Sequence, residues 1–356
     1  MEKMLSSKLI MVLINLNTGN NNMVRVITVS DIKKLISTVG LKNFFSQLIL
    51  AVEKEYARWE CFQKSARHAV HVDNGVIELM PICDDEFYTF KFVNGHPNNT
   101  SANKLTVAAL GLLADIKTGY PLMISEMTLL TAFRTSATSA LAAKYLARKN
   151  TKKIGIIGTG AQSEFQIMAQ STLFDIETVK YFDIDLHAME KFEHNLKNEK
   201  FKLVRCDQAK QVVDGVDIIT TATATKKQTH ILDMSSIKPG LHINSIGGDC
   251  PGKTELDKNI LQHTKIVVEY LPQSKIEGEI QQTDAKIYAE LWELVTGVKK
   301  GRTSDSDITL FDSVGFAIED FAILKFVYQL MVKNNVGTEM DLIPELANPK
   351  NLFGLV

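Results

Sequence analysis

The chain has 356 residues, of which 45% are hydrophobic and 23% are charged, as in an ordinary folded enzyme. Its 40 Lys and Arg residues nearly balance its 41 Asp and Glu residues. Without an excess of one charge, the protein lacks the long-range attraction that recruits nucleic acid or an anionic membrane, so we expect a small-molecule partner. The length predicts two domains, because single hydrophobic cores rarely exceed ~250–300 residues.

Cysteine and histidine spacing predicts neither a metal site nor a disulfide framework. The four cysteines are far apart and form no C-x-x-C pair, and the histidines show no H-x-x-x-H spacing. A reducing compartment, the cytoplasm, fits this pattern best. No segment reaches the ~18 apolar residues that a membrane span requires. Residues 1–22 are predicted to be a disordered N-terminal extension, since the apolar run 9–16 is interrupted by Asn15 and lacks a signal-peptide cleavage pattern.

Periodicity predicts a first domain with two helices followed by an antiparallel sheet. Ser30 and Asp31 are suitable caps for a helix that ends at Gly40, and a second helix is predicted over residues 41–62. The period then changes towards two, which indicates strands. These predicted strands cover residues 67–71, 75–80, 87–93 and 105–115.

The second half of the chain alternates between strand and helix patterns. A long helix is predicted over residues 125–148, capped by Ser125, and a C-terminal helix over residues 315–334. Between them, strands are predicted at residues 154–158, 178–183, 201–205, 216–222, 241–246 and 265–270. This alternation predicts an α/β fold with a doubly wound parallel sheet.

A glycine-rich turn begins the alternating pattern. The apolar run 154–157 ends at Gly158-Thr159-Gly160 and leads directly into a helix-forming segment. This order of strand, turn and helix suits a dinucleotide pyrophosphate, because the helix N-terminus offers free N–H groups and the positive end of its dipole. Ser163 replaces the third glycine of the usual G-x-G-x-x-G pattern and is small enough for close packing. The alternative is a glycine-rich turn in some other α/β sheet.

An acidic residue follows at the spacing expected of a ribose-binding site. Twenty residues after Ser163, the apolar run 179–182 stops at Asp183. Its carboxylate can accept hydrogen bonds from both hydroxyls of an adenosine ribose. We therefore predict NAD, rather than NADP, as the cofactor.

A second loop that could carry chemistry follows the predicted strand 241–246. It begins Gly247-Gly248-Asp249, and two glycines would let the backbone lie against a flat ring with the carboxylate beside it. A desolvated carboxylate has a raised pKa and could exchange a proton with an amine near the nicotinamide. The same tripeptide is also common in plain turns.

Charged side chains interrupt apolar segments in the first half of the chain. Arg67 and Lys91 lie on predicted strands, Arg134 lies among apolar residues of the long helix, and Glu78 interrupts an apolar strand. The cations could bind a substrate carboxylate, and Glu78 could be a buried acid that faces an amine. Alternatively, the cations are snorkelling or surface-paired side chains, and Glu78 lies on the solvent face of an edge strand.

Several segments resemble the ornithine cyclodeaminase/mu-crystallin family, and the likeness runs from about residue 30 to residue 353. Within it, the run GGDCPGKTEL at residues 247–256 is similar to the cyclodeaminase branch, whereas the crystallin and ketimine-reductase branch has no acid at the position of Asp249. The matching segments are Lys64-Ser-Ala-Arg67, Gly75-Val-Ile-Glu-Leu-Met-Pro81, Phe90-Lys-Phe-Val-Asn-Gly-His-Pro97, Arg134-Thr-Ser-Ala-Thr-Ser139, Gly158-Thr-Gly-Ala-Gln-Ser-Glu-Phe165, Gly247-Gly-Asp-Cys-Pro-Gly-Lys-Thr-Glu-Leu256, Ile276-Glu-Gly-Glu-Ile-Gln281 and Phe311-Asp-Ser-Val-Gly315.

The resemblance implies a set of site residues. Those implied to meet the substrate are Arg67, Lys91 and Arg134 at its α-carboxylate, Glu78 and the acid/base Asp249 at its amino groups, and Ser313 and Val314 nearby. Those implied to line the NAD site are Thr106, Arg134, Gly158, Gly160, Ala161, Gln162, Asp183, Thr223, Ile246, Gly247, Gly248 and Lys253.

The resemblance also implies a reaction and an architecture. The reaction is an NAD-dependent conversion of L-ornithine to L-proline and ammonia, in which Cα is transiently oxidised, the ring closes, ammonia leaves and the cyclic imine is reduced. Alternatives are a lysine cyclodeaminase, an NAD(P)-dependent amino-acid dehydrogenase or ketimine reductase, and a non-catalytic NAD(P)H-binding protein. Residues 135–317 are expected to form a Rossmann-type NAD-binding domain. Residues 23–134, completed by 318–356, are expected to form an α+β domain that binds substrate and joins a homodimer.

Overall fold

The computed structural model describes residues 22–73, 75–224, 228–248 and 250–356. Apart from Asn22, the predicted N-terminal extension therefore lies outside the described residues. The helices are α1 (Val29–Val39), α2 (Leu41–Ala57), α3 (Thr128–Leu146), α4 (Ser163–Gln170), α5 (Leu186–Leu196), α6 (Ala209–Val213), α7 (Lys258–Gln262), α8 (Leu271–Ser274), α9 (Leu291–Val295) and α10 (Ala317–Asn334). The strands are β1 (Met23–Ile27), β2 (His68–Val72), β3 (Gly75–Cys83), β4 (Phe87–Gly95), β5 (Val107–Asp115), β6 (Pro121–Glu126), β7 (Lys153–Ile157), β8 (Thr178–Phe182), β9 (Lys202–Arg205), β10 (Ile218–Thr221), β11 (Gln228–Leu232), β12 (His242–Ser245), β13 (Thr254–Leu256), β14 (Lys265–Val268), β15 (Ala289–Glu290), β16 (Thr309–Asp312) and β17 (Thr338–Asp341).

The first sheet contains seven strands in the order β17-β1-β6-β5-β4-β3-β2. Its neighbours are antiparallel except β1 and β6, which run parallel, so the sheet is mixed rather than purely antiparallel as predicted. The prediction missed β1, β6 and β17. The last of these is exposed along its whole length and so lacks the alternation of buried and exposed positions that reveals a strand. Helix α10 packs against β3, β4 and β5.

The second sheet contains eight parallel strands in the order β15-β14-β16-β12-β10-β7-β8-β9. Successive residues of a strand point to opposite faces, and both faces here are buried. Ile156 and Ile218 belong to one hydrophobic cluster, whereas their neighbours Ile157 and Ile219 belong to another. This confirms the predicted doubly wound α/β sheet.

The order of strands predicts a ligand site at the carboxyl ends of the neighbouring strands β7 and β10. From β7 the chain adds β8 and β9 on one side and β10 and β12 on the other. Loops at the carboxyl ends of β7 and β10 therefore diverge, and ligands bind in such a crevice. Strand β16, which the sequence did not reveal, lies between β14 and β12. It is only four residues long and has polar residues at both ends, so it shows neither an apolar run nor an alternation of polar and apolar residues.

Two predicted helix caps are wrong, and in both cases a nearby side chain caps the helix instead. Thr28, not Ser30, caps α1 and forms a reciprocal pair of hydrogen bonds with Asp31. Ser125 lies in β6, and the helix that it was expected to cap begins at Thr128. There the carboxylate of Glu126 accepts a hydrogen bond from the amide of Leu129 (2.6 Å).

Within the described ranges, no single helix has the length and apolar character that a span requires. Helices α1 and α2 meet the criteria only as a pair, and that pair is bent by 102°.

Candidate active site

The glycine turn between β7 and α4 has the predicted geometry. Gly158 has a φ of +95°, and a Cβ there would lie 2.5 Å from the carbonyl oxygen of Ala222, so only glycine fits. A Cβ on Gly160 would meet nothing within 4 Å, which leaves open space over the turn. Ser163 is buried and donates a hydrogen bond from Oγ to the carbonyl of Gly160 (2.8 Å). It thus closes the turn as well as allowing close packing.

Asp183 follows β8 and lies directly against this turn. Its Oδ2 accepts hydrogen bonds from the amide of Thr159 (2.6 Å) and from the Thr159 hydroxyl (3.2 Å). Its Oδ1 accepts from the amide of Asp185 (3.0 Å). The carboxylate therefore holds the turn, and each oxygen retains acceptor capacity for a ribose hydroxyl.

These features fit a dinucleotide. The turn also borders a surface cavity of about 550 Å³, lined by Thr159, Gly160 and Ala161 on one side and by residues of α5 on the other. The side-chain oxygen of Gln162 is buried without a hydrogen-bond partner in the described part of the chain, so it is an acceptor that a ligand could satisfy.

Predicted cofactor residues on the other loops form two groups. Thr223, Ile246, Gly247 and Gly248 follow β10 and β12, and Lys253 is buried a few residues later. Thr106 precedes β5 in the first sheet, where its carbonyl accepts the amide of His96 (2.8 Å). Among the residues that the structure describes, no hydrogen bond joins Thr106 to the glycine turn.

The side chain of Arg67 is 8% exposed and is held on several sides. Nη1 donates to Glu78 (3.0 Å), and Nη2 donates to the carbonyls of Val314 (2.6 Å) and Gly315 (2.7 Å). Nε lies 3.5 Å from a carboxylate oxygen of Glu277. Glu78 is itself buried, so the alternative that it occupies a solvent-facing position on an edge strand is wrong.

Lys91 and Arg134 share one buried acid. The Nζ of Lys91 lies 2.9 Å from Oδ2 of Asp320, and Nε of Arg134 lies 3.1 Å from Oδ1 of the same carboxylate. Nη1 of Arg134 donates to Glu319 (2.6 Å). All four side chains are buried, so Lys91 and Arg134 are neither snorkelling nor paired at the surface.

Burial shifts the protonation of this cluster. It lowers the pKa of Lys91 to about 8, an effect to which the neighbouring Arg134 and Arg67 add. It also raises the pKa of Glu319 to about 7, against the opposing charge of Arg134. Arg67 donates to the carbonyl of Gly315, and the guanidinium of Arg134 lies against the same glycine. Arg134 also shares Asp320 with Lys91, so the predicted cations meet in one place.

The loop after β16 connects Arg67 to the second sheet. Ser313 donates its hydroxyl proton to the buried carboxylate of Glu269 (2.6 Å), and the amides of Val314 and Gly315 also donate to Glu269 (3.2 and 3.1 Å). Gly315 has a φ of +77°, and a Cβ there would overlap the guanidinium of Arg134. The predicted substrate residues Ser313 and Val314 thus lie beside Arg67, with the Ser313 hydroxyl directed at Glu269.

The predicted acid/base Asp249 lies outside the described residues, and its role stays a prediction. Over the described ranges, no group of three or more His, Cys, Asp or Glu side chains could hold a metal ion.

The sequence did not identify the buried acids of this site. Glu319 and Asp320 stand within the apolar helix α10, and adjacent acids inside an apolar run are the signal that could have revealed them. Glu255 and Glu277 lie in segments that carried the family resemblance, but they received no role. Glu269 gave no signal, because a single acid after a short strand is common.

Comparisons with known proteins agree on one family. The model of the ornithine cyclodeaminase/mu-crystallin family matches residues 29–335. The ornithine cyclodeaminase of Agrobacterium fabrum is 48% identical over 340 residues, which cover 95% of this chain and 96% of that protein. The chain therefore belongs to the ornithine cyclodeaminase/mu-crystallin family.

Two solved structures share the whole architecture. An archaeal alanine dehydrogenase, described as a dimer with bound NAD, has a TM-score of 0.83 and 34% identity, covering 90% of this chain and 100% of its own. A lysine cyclodeaminase, solved to explain recognition of L-lysine, L-ornithine and L-2,4-diaminobutyric acid, has a TM-score of 0.88 and 26% identity. It covers 94% of this chain and 100% of its own.

Proposed function

We propose that this protein is an NAD-dependent lyase that converts L-ornithine to L-proline and ammonia without net redox change. The observation that carries the proposal is the convergence of Arg67, Lys91 and Arg134, whose side chains are 8% exposed or less, beside the loops at the carboxyl end of the parallel sheet. Buried cations at a ligand crevice suit a carboxylate. The 48% identical relative named ornithine cyclodeaminase supports the same reaction.

Each site residue then has a proposed role. Arg67, Lys91 and Arg134 bind the α-carboxylate and orient Cα, and the fork of an arginine fixes direction better than the point charge of a lysine. Glu78 and Asp249 face the amino groups. Asp249 accepts a proton from an amine and returns it to the departing ammonia. Ser313 and Val314 complete the substrate site.

NAD, when bound, would act as the hydride acceptor and donor of the reaction. The residues that we propose to hold it are Thr106, Arg134, Gly158, Gly160, Ala161, Gln162, Asp183, Thr223, Ile246, Gly247, Gly248 and Lys253. We also propose that residues 135–317 form the NAD-binding domain, and that residues 23–134 with 318–356 form the substrate-binding domain.

We further propose a homodimer joined through the first sheet. Leu79 on β3 pairs with Phe92 on β4, and Phe92 pairs with Leu110 on β5. These three apolar side chains are 37%, 42% and 56% exposed, and they form a row across one face. A second copy of the chain would cover such a row. The proposed location is the cytoplasm, which suits four cysteines without a disulfide.

Product identification tests the reaction. Purified protein with NAD⁺ is given L-ornithine, L-lysine or L-2,4-diaminobutyrate, and products are identified by mass spectrometry while NADH is followed by absorbance. We expect proline and ammonia from ornithine in equal amounts, with no accumulation of NADH. Pipecolate as the main product would identify a lysine cyclodeaminase. Accumulating NADH would identify a dehydrogenase, and a lack of any product would refute the enzyme proposal.

A further inference from the structure

Three buried acids near the loops at the carboxyl end of the second sheet are linked in a row by hydrogen bonds, each to the backbone amide of the next. These are Glu255 and Glu279, both 0% exposed, and Asp312, which is 1% exposed. Glu255 accepts hydrogen bonds from the loops after β10 and β12, and Glu279 accepts them from β12 and β13. The backbone amide of each is held by the next acid. We call these three residues the acid ladder.

The lowest step of the acid ladder fixes the turn that carries Glu279. Asp312 ends the central strand β16, and its two carboxylate oxygens accept the amides of Glu279 (2.8 Å) and Ile280 (3.0 Å). Gly278 has a φ of +80°, and a Cβ there would lie 2.8 Å from the carboxylate of Asp312. The turn is therefore packed directly against the end of the sheet.

The middle step fixes the strand that carries Glu255. Oε1 of Glu279 accepts the amide of Glu255 (2.8 Å) and the hydroxyl of Ser245 (3.0 Å). Oε2 accepts the amide of Leu256 (3.1 Å). Glu279 therefore connects β13 to the end of β12.

The top step meets the loops of the proposed cofactor site. Oε1 of Glu255 accepts the amide (2.7 Å) and the hydroxyl (2.6 Å) of Thr223, and Oε2 accepts the amide of Gly247 (3.0 Å). A Cβ on Gly247 would overlap the same carboxylate. The sequence suggested that Gly247 is a glycine so that the backbone can lie against a ligand ring. In the structure, Glu255 itself occupies the space where a side chain would stand.

We infer that Glu255 is a positioning residue for the cofactor: its carboxylate sets the backbone of Thr223 and Gly247, and Glu279 and Asp312 hold it in place. This inference rests on the proposed NAD site. Because one carboxylate joins the loops after β10 and β12, it fixes the distance between the two loops. A cofactor that contacts both loops binds more tightly when this distance is already set before binding.

The charges of the acid ladder are moderated by burial. Burial, followed by the charge of Asp312, raises the pKa of Glu279 to about 8, whereas the amides of Glu255 and Leu256 pull it in the opposite direction. Burial likewise raises the pKa of Asp312 to about 7. Burial thus favours the uncharged forms of both carboxyls, which would limit the negative charge near the proposed cofactor site.

The first test replaces Glu255 by glutamine and measures NAD binding by calorimetry, with folding checked by circular dichroism. In Gln only the amide oxygen accepts hydrogen bonds, so the donors of either Thr223 or Gly247 lose their acceptor. We therefore expect NAD to bind at least about tenfold more weakly. The matched control is Asp217→Asn. Asp217 accepts the amides of Lys152 (2.9 Å) and Lys153 (3.0 Å) at the opposite end of the same sheet. It should change stability but leave NAD affinity within about twofold.

The second test uses the contact between Gly247 and Glu255, and it applies even if Glu255→Gln does not fold. Gly247→Ala should weaken NAD binding because its Cβ pushes against the carboxylate. Combining it with Glu255→Asp retracts the carboxylate, so the double variant should bind NAD no more weakly than Gly247→Ala alone. Losses that simply multiply would overturn the inference.

The outcomes separate this inference from the proposed function. If the wild-type protein itself does not bind NAD, the proposed function fails and the inference fails with it. If the wild type binds NAD and Glu255→Gln binds it equally well, only the inference is overturned.

Discussion

The ammonium group of Lys91 lies 3.0 Å from Oδ1 and 2.9 Å from Oδ2 of Asp320, and each side chain is 1% exposed. Arg134 also pairs with this carboxylate. This acid therefore pairs with two buried cations, which would otherwise be costly to remove from water, and Arg134 has Glu319 as a second partner.

Asp320→Asn should lower the free energy of unfolding by about 3–5 kcal/mol, because it leaves buried charge uncompensated. It should also lower the pKa of Lys91 further, since Asp320 acts to raise that pKa. Lys91 would then lose its proton at a lower pH, and KM for ornithine would begin to rise at a lower pH than in the wild type. Urea denaturation and KM against pH measure the two effects.

Glu339→Gln is the control for Asp320→Asn. Glu339 pairs with Arg25 at 2.6 Å but is 49% exposed, so its loss should cost at most about 1 kcal/mol. Equal losses in the two variants would contradict the importance of burial.

Asp249→Asn should leave NAD binding intact and remove turnover, because the amide cannot carry the proton between the amine and ammonia. Loss of general acid–base catalysis typically costs about 10²–10⁴-fold in rate. Calorimetry with NAD and an assay for released ammonia measure the two properties. Asp257→Asn, at the half-buried N-cap of α7 in the same stretch of chain, is the control and should retain turnover. Substantial ammonia release by Asp249→Asn would refute the proposed role.

Phe92→Glu should convert the proposed dimer to a monomer, because it puts a charge in the middle of the exposed row formed with Leu79 and Leu110. Light scattering gives the mass in solution. Leu173→Glu is the control, since Leu173 is 37% exposed and lies outside the first sheet. If both variants have the mass of the wild type, the dimer does not use this face.

His242 should make stability depend on pH on the acid side. It is buried at the start of β12, where its ring forms a hydrogen bond with the hydroxyl of Thr309 on β16. Burial, assisted by the charge of Arg302, lowers its pKa to about 3. In the unfolded chain it takes up a proton near pH ~6.5. Between these values the unfolded state binds more protons, so stability is lost as the pH falls, by up to ~1.4 kcal/mol per pH unit.

His242→Gln should therefore show a smaller loss of stability between pH 6 and pH 4 than the wild type, as measured by urea denaturation. His187→Gln is the control, because the side chain of His187 is 94% exposed. Unchanged pH dependence in His242→Gln would contradict the assignment.

The sequence correctly predicted those structures that depend only on residues close together in the chain. The run from β7 through Gly158 to Ser163 predicted a strand, a turn and a helix, since the backbone of this turn requires glycine whatever lies around it. The repeated change between strand and helix patterns predicted the doubly wound sheet. Strand β16 was missed, because its two apolar residues, between Thr309 and Asp312, form neither a long apolar run nor an alternation.

From the residues alone came the α/β fold, the dinucleotide turn, the family and a set of charged side chains. Only the folded chain decided which of those side chains are buried and what faces them. Arg67 donates to Val314 at a separation of 247 residues, and Lys91 meets Asp320 at a separation of 229. Local periodicity carries no information about partners so distant in sequence, because their meeting depends on how the two sheets pack around α3 and α10.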